Sequence, residues 1–265
     1  MEVLKMKTAQ DFVNESGYPL QIHLEKLIEE TKQEHKWRVA VSEHRWVNAE
    51  TKDEGYIDLV LEREGLNLKL VVECKRIIGS WTFLLPMAQP FNKPDTRTLS
   101  IDYKTFRFLW NKIHIWPESY EAAFCVMETG GKKDSRTLEK LAGELLLSLE
   151  YLAIEETALM KALYENSPPL PFADHKFYIP VIVTTADLQA MSFNPSNIDL
   201  KTGIVAGSNA ETVEFIRFRK NLATHIDYEK PQSYTLRDLN QENDRTVFVV
   251  HTESFIKFLK MINDY

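Results

Sequence analysis

The residues best placed to do chemistry lie in the segment Gly55-Tyr56-Ile57-Asp58-Leu59-Val60 and, after Gly65, in Leu70-Val71-Val72-Glu73-Cys74-Lys75-Arg76. A two-residue turn at Gly65-Leu66, with glycine first as a type II′ turn prefers, would pair two strands as a hairpin. Opposed residue numbers then sum to 131. Glu62 faces Lys69, Val60 faces Val71 and Asp58 faces Glu73. Alternation puts Lys75 on the same face as the two acids. The other face carries Ile57, Leu59, Leu61, Leu70, Val72 and Cys74, an apolar set expected to be core. Like charges directly opposed destabilise a sheet, and a divalent cation held by both carboxylates would offset that cost. Hard oxygen ligands suit Mg²⁺, with Mn²⁺ as a substitute. The Cys74 backbone carbonyl, between the two motif side chains, is a further candidate ligand. Such a site suits phosphodiester cleavage: the metal polarises a phosphoryl oxygen and activates water, and Lys75 orients that water or stabilises charge on phosphorus.

A helix must precede these strands. Leu20, Leu24, Leu27 and Ile28 recur at helical spacing over 19–36, after Gly17 and Pro19. It carries Glu25, flanked by His23 and Glu29, and packing across the sheet would aim Glu25 at the acidic cluster. The alternative is a place on the helix's solvated face.

At these residues the chain resembles the PD-(D/E)XK nuclease superfamily, the restriction-endonuclease-like fold. Glu25, Asp58 and Glu73-Cys74-Lys75 match in order and type over residues 17–76. Ile57 stands where that family's name-giving proline would be. Gln89 is not carried over as an auxiliary motif, because Pro90 follows it. The resemblance implies an α/β fold, a central mixed β-sheet flanked by helices. It implies Mg²⁺-dependent endonuclease activity, on DNA rather than RNA, with roles in restriction, phage defence or repair. Asp58, Glu73 and the Cys74 carbonyl would bind the metal, Glu25 would support its shell, and Lys75 would assist the attacking water.

The other elements follow from periodicity. Strands are expected at 37–47, 55–64 and 67–76. Leu138, Leu141, Leu145, Leu149 and Leu152 define a long helix over 137–165, capped by Ser135 or Thr137 and stopped by Asn166-Ser167-Pro168-Pro169. A buried strand follows at 177–185, with Pro180 near its start. An antiparallel pair is expected at 197–205 and 212–219, a buried strand at 246–250 and a last helix near 252–263. The expected organisation is one nuclease-like domain over 1–265. Its core is 17–76 and 137–185, with an insertion at 77–136 after the catalytic hairpin.

The chain has 265 residues, 44% of them hydrophobic and 27% charged, as in an ordinary folded protein. No apolar run approaches a membrane span. Cys74 and Cys125 are expected as reduced thiols of a cytoplasmic protein. Two distant cysteines exclude a four-cysteine zinc site. A net charge of −7 argues against non-specific polyanion binding. It leaves room for a basic groove or an acidic metal site.

Other motifs carry less. Lys93, Arg97, Lys104, Arg107 and Lys112 interleave with Tyr103, Phe106, Phe108 and Trp110. They form either a nucleic-acid-contacting insertion or, the favoured alternative, an amphipathic helix burying its rings. Arg217, Arg219 and Lys220 alternate with Phe215 and Phe218 on an expected strand, diluted by Glu211 and Glu214. Lys132, Lys133 and Arg136 either bind phosphate at a helix start or form a solvated turn. Gly130-Gly131-Lys132 lacks the spacing of a phosphate-binding loop, and Ala206-Gly207-Ser208-Asn209 lacks that of a hydrolase elbow. His44, on the strand beside the hairpin, is the histidine to follow. Two other functions stay open: a nucleic-acid-binding or assembly subunit that kept the fold without cleaving, and an enzyme acting on a small phosphate compound. Target choice would come from the insertion, a homodimer or a partner protein.

Overall fold

The computed structural model describes residues 7–48, 52–86, 95–115, 117–129, 132–166, 175–223, 226 and 235–262. The N-terminal part runs α1 (Ala9–Glu15), α2 (Tyr18–His35), β1 (Trp37–Val47), β2 (Glu54–Arg63) and β3 (Leu68–Lys75). The middle holds β4 (Gly79–Leu85), β5 (Asp95–Asp102), β6 (Arg107–His114), β7 (Glu121–Ala122), β8 (Cys125–Thr129), β9 (Lys132–Asp134) and α3 (Thr137–Asn166). The rest is β10 (His175–Thr184), β11 (Asp187–Ser192), β12 (Asn209–Thr212), β13 (Phe215–Asn221), α4 (Leu236–Glu242), β14 (Asp244–His251) and α5 (Phe255–Met261).

The protein is α/β, with a mixed central sheet flanked by helices. That sheet runs β1-β2-β3-β10-β14-β13-β7, and the β5–β6 hairpin joins it through β10. β1, β2 and β3 are antiparallel neighbours, whereas β3, β10 and β14 run parallel. A second sheet has the order β12-β11-β4-β8-β9. Two apolar cores lie on opposite faces of the central sheet. One packs Leu59, Leu61, Leu70, Val72 and Cys74 against Leu24 and Ile28 of α2 and against α5. The other joins Val60 and Val71 to Leu138, Leu145, Leu149 and Leu152 of α3, and to Trp81 and Phe83 of the second sheet. Strand β3 is therefore covered on both faces, as parallel strands require.

Helix α2 begins after Gly17, whose positive φ of 83° suits glycine, with Pro19 in its first turn. At the start of α3, Asp134 Oδ1 accepts from the N–H groups of Arg136 and Thr137 at 2.7 and 3.1 Å, a role expected of Ser135 or Thr137. Asp134 lies one turn earlier, and its carboxylate suits the positive end of the helix dipole.

Several expectations are corrected. The turn is not a two-residue loop at Gly65-Leu66. A β-turn spans Arg63–Leu66, closed by Leu66 N–H donating to the Arg63 carbonyl at 3.1 Å, with Gly65 third at φ 81°. Positive φ at that position needs glycine. The 131 register survives, because Glu62 pairs with Lys69 and Leu59 with Val72.

The described part of the Lys93–Lys112 stretch is not a helix. It forms the β5–β6 hairpin, in which residue numbers sum to 209 from Asp95↔His114 to Asp102↔Arg107. Tyr103 and Trp110 are buried as expected, while Lys104, Arg107 and Lys112 are exposed. Lys93, Gln89 and the Gly130-Gly131 step lie outside the described residues. Pro180 stands sixth in β10, not near its start. The neighbour on that side changes there from β5, last paired at Tyr178, to β14, first paired at Val181, so the missing N–H breaks no ladder bond.

Segments 197–205 and 212–219 do not pair. β12 pairs with β11 and β13 with β14, because Phe215–Asn221 supplies the outer neighbour that β14 needs. Within the 77–136 segment, β5, β6 and β7 extend the central sheet, and β4, β8 and β9 belong to the second. Among the described residues no helix is long and apolar enough to cross a membrane.

Candidate active site

The β2–β3 ladder ends at Leu59↔Val72. The next pair along, Asp58 and Glu73, stands where the strands part. There Asp58 Oδ2 accepts from the Cys74 backbone N–H at 2.6 Å, replacing a ladder bond. In an extended strand a residue's N–H and C=O point to the same side. The Cys74 carbonyl therefore faces the gap beside Asp58. Lys75 turns the other way and accepts from Thr185 N–H of the neighbouring chain segment at 3.2 Å.

The three motif side chains share this end of β3. Lys75 Nζ lies 2.5 Å from Glu73 Oε1. Burial pulls the Lys75 ammonium down, but the charge and hydrogen bond of Glu73 and the charge of Asp58 outweigh it, so its pKa lies above the ordinary value. Burial, then the charge of Glu73, pushes the Asp58 carboxyl up to about 7, against the pull of the Cys74 N–H and Lys75. The Cys74 thiol sits in the α2-side core, and burial followed by the two acids raises it well above a free thiol. It stays protonated, and only the backbone of Cys74 is chemically available.

Both cysteines are free and buried. Ile57 is buried in the α3-side core rather than with Leu59. Strict alternation fails at Asp58, where β2 leaves β3 and remains paired with β1 through His44↔Ile57.

A further carboxylate belongs to the surroundings. Glu43 lies between Ser42↔Leu59 and His44↔Ile57, opposite Asp58, and its charge adds to the upward push on Asp58. Its backbone has a positive φ of 52°. Buried Gln21 of α2 donates to Glu43 Oε1 at 2.5 Å and to the Asp58 carbonyl at 3.2 Å, tying helix to both strands. Glu43 escaped the sequence reading because the β1–β2 register shifts at a bulge between Val39 and Val41. Without the shift Asp58 would face Ser42.

The structure thus brings Asp58, Glu73 and Lys75 together. Glu25, one turn beyond Gln21, accepts instead from Ser42 Oγ on β1 at 3.3 Å. His44 pairs with Glu155 of α3 at 2.7 Å. The β13 cations are structural: Arg217 is fully buried and donates to the Ser119 carbonyl, Arg219 bonds Glu121 and Lys220 pairs with Glu139. Arg136 is exposed.

Among the described residues no group of three or more His, Cys, Asp or Glu side chains is arranged to hold a metal. A cation here would take two carboxylates and one backbone carbonyl, and complete its shell with water. That sparse set suits Mg²⁺, which keeps several waters and binds through one or two carboxylates. The electrostatics suit a cation too, since two half-buried acids with mutual repulsion have one ammonium between them. No family model, curated protein or solved structure matches the chain.

Proposed function

We propose that this protein is a metal-dependent nuclease of restriction-endonuclease-like fold, a phosphodiester hydrolase acting on DNA in the cytoplasm. The observation that carries this reading is the raised carboxyl of Asp58 beside Glu73, with Lys75 on Glu73, where two strands part. Element order supports it as well. α2 and antiparallel β1–β3 come first and, after β4 to β9, helix α3 and a strand parallel to β3 follow in the order that the resemblance implies.

Asp58, Glu73 and the Cys74 carbonyl would hold Mg²⁺ or Mn²⁺. When bound, the cation supplies a Lewis acid for a phosphoryl oxygen and lowers the pKa of a water. Lys75 enters as an ammonium. It orients that water through its N–H donors and faces the charge that develops on the phosphorus oxygens. A cation beside Glu73 would favour the ionised form of Asp58. Gln21 holds the backbone of Asp58 in place, and Glu25 steadies β1 through Ser42.

The test is cleavage of plasmid DNA, linear single strands and RNA by the purified chain, with Mg²⁺, Mn²⁺ or EDTA. Metal-dependent cutting of DNA is expected. Lys75→Ala and Glu73→Gln should lower it by about 100-fold or more, the usual cost of losing a charge-stabilising group. Metal binding without cutting would leave the non-cleaving subunit in its place. RNA-only cutting would change the substrate class.

A further inference from the structure

The hairpin end of the central sheet carries a cavity of about 570 Å³. Six cations line it: Lys32, Lys36, Arg38, Arg63, Lys69 and Lys176. Glu62 and Glu64 are the carboxylates in its lining. On a chain of net charge −7, this is a concentration of positive charge against the average. From Lys69 to Lys75 is six residues of β3, about 20 Å at the strand rise. The cavity is thus separate from the candidate active site.

The charge is offset only in part, by Glu29 on Lys32, by Glu62 and by Glu156. Arg38 meets Glu62 at 2.5 Å. Lys69 and Lys176 both lean on one carboxylate, Glu156 of α3, which also accepts from Tyr178. Lys69 also reaches Glu62 at 3.9 Å, so Arg38, Lys69 and Lys176 share two carboxylates. Burial, and then the charge of Lys69 working against Glu156, hold Lys176 below the ordinary lysine range. An anion in the cavity would relieve that repulsion.

Leu66, Leu68, Met160 and the buried ring of Tyr103 line the same cavity. Clustered cations and an aromatic ring in the lining of one cavity of small-molecule size match a ligand that carries both phosphates and a flat base.

We propose that this cavity binds a nucleoside polyphosphate, its phosphates among the lysines and arginines and its base against Tyr103 and Met160. The site is independent of the nuclease reading and stands if that reading fails.

The test is calorimetric titration of the full chain in EDTA with ATP, GTP, pyrophosphate and a short single-stranded oligonucleotide. At least one nucleotide should bind with a micromolar Kd. The double variant Lys36→Gln/Arg38→Gln, which alters exposed side chains, should weaken it about tenfold or more. Lys176→Met should weaken it as well, with melting curves confirming both folds. Asp58→Asn should leave nucleotide affinity unchanged. No binding by ATP or GTP, or equal affinity in both lysine variants, overturns the proposal. Pyrophosphate bound as tightly as the nucleotides overturns the base contact. Oligonucleotide binding without nucleotide binding makes the cavity part of a nucleic-acid track instead.

Discussion

Asp58 Oδ2 takes the Cys74 N–H at 2.6 Å in the place where the strand ladder would have continued. One side chain thus replaces a backbone acceptor and stands next to a second acid. The arrangement has a cost set by pH. An unfolded aspartate ionises near pH 4, but the native Asp58 carboxyl does so at about 7. Between those values the native state binds the extra proton, so stability falls as pH rises through that window and then levels off. Three pK units correspond to about 4 kcal/mol at most. Asp58→Asn keeps an acceptor for Cys74 N–H without the charge. In EDTA its melting temperature should gain on the wild type as pH rises from about 4 to about 7. Parallel profiles would show that Asp58 ionises normally.

The same proton should appear when a cation binds. At a pH near 6.5, Mn²⁺ binding should release more than half a proton, because a carboxylate ligand must be deprotonated. Calorimetry in buffers of different ionisation enthalpy reads this directly. In Asp58→Asn the release should vanish and the affinity should drop about tenfold or more. Mn²⁺ binding with no proton release would place the ion elsewhere.

Glu156 should matter greatly to stability. It lies beneath Lys69 and Lys176, and despite burial their charges hold its carboxyl below the ordinary range. Glu156→Gln leaves two poorly solvated ammoniums facing a neutral amide, a loss of about 3–5 kcal/mol in urea titration. Lys176→Met should cost less, since Lys69 keeps its partner. The Glu156 contribution is present at neutral pH and disappears as pH falls through that lowered pKa. Equal losses in the two variants would contradict this account.

Gly55 sits against Trp46. A Cβ there would lie 2.7 Å from the buried indole, which is stacked on Tyr151 at 4.8 Å and donates to Ser148 at 2.9 Å. Gly55→Ala should destabilise by about 1–3 kcal/mol, the range for overpacking a filled core. Denaturant unfolding measures it, and an unchanged midpoint would mean that the indole moves at no cost.

The hairpin register was legible because two strands of alternating character with a glycine between them admit few pairings. Both helix α2 and helix α3 were legible from their leucine spacing. The β5–β6 hairpin was not. Aromatic and basic residues over 95–114 suit either period, and the pairing that decides between them involves β10, some eighty residues later. Glu43 was hidden by a one-residue bulge in β1. The Lys69–Glu156–Lys176 cluster was hidden by separation, for Lys69 and Glu156 stand 87 positions apart.

The two sheets take their strands alternately from the chain. The first three strands enter one sheet, β4 the other, β5 to β7 the first again, and the exchange continues to β14. β14 then lies inside the central sheet, between β10 and β13, rather than at its edge. During synthesis the ribosome would therefore release β1, β2 and β3 long before their sheet can close. β3 lacks its parallel neighbour until β10 (His175–Thr184) is made, and β10 lacks β14 until residues near 250, so strand edges stay open through most of synthesis.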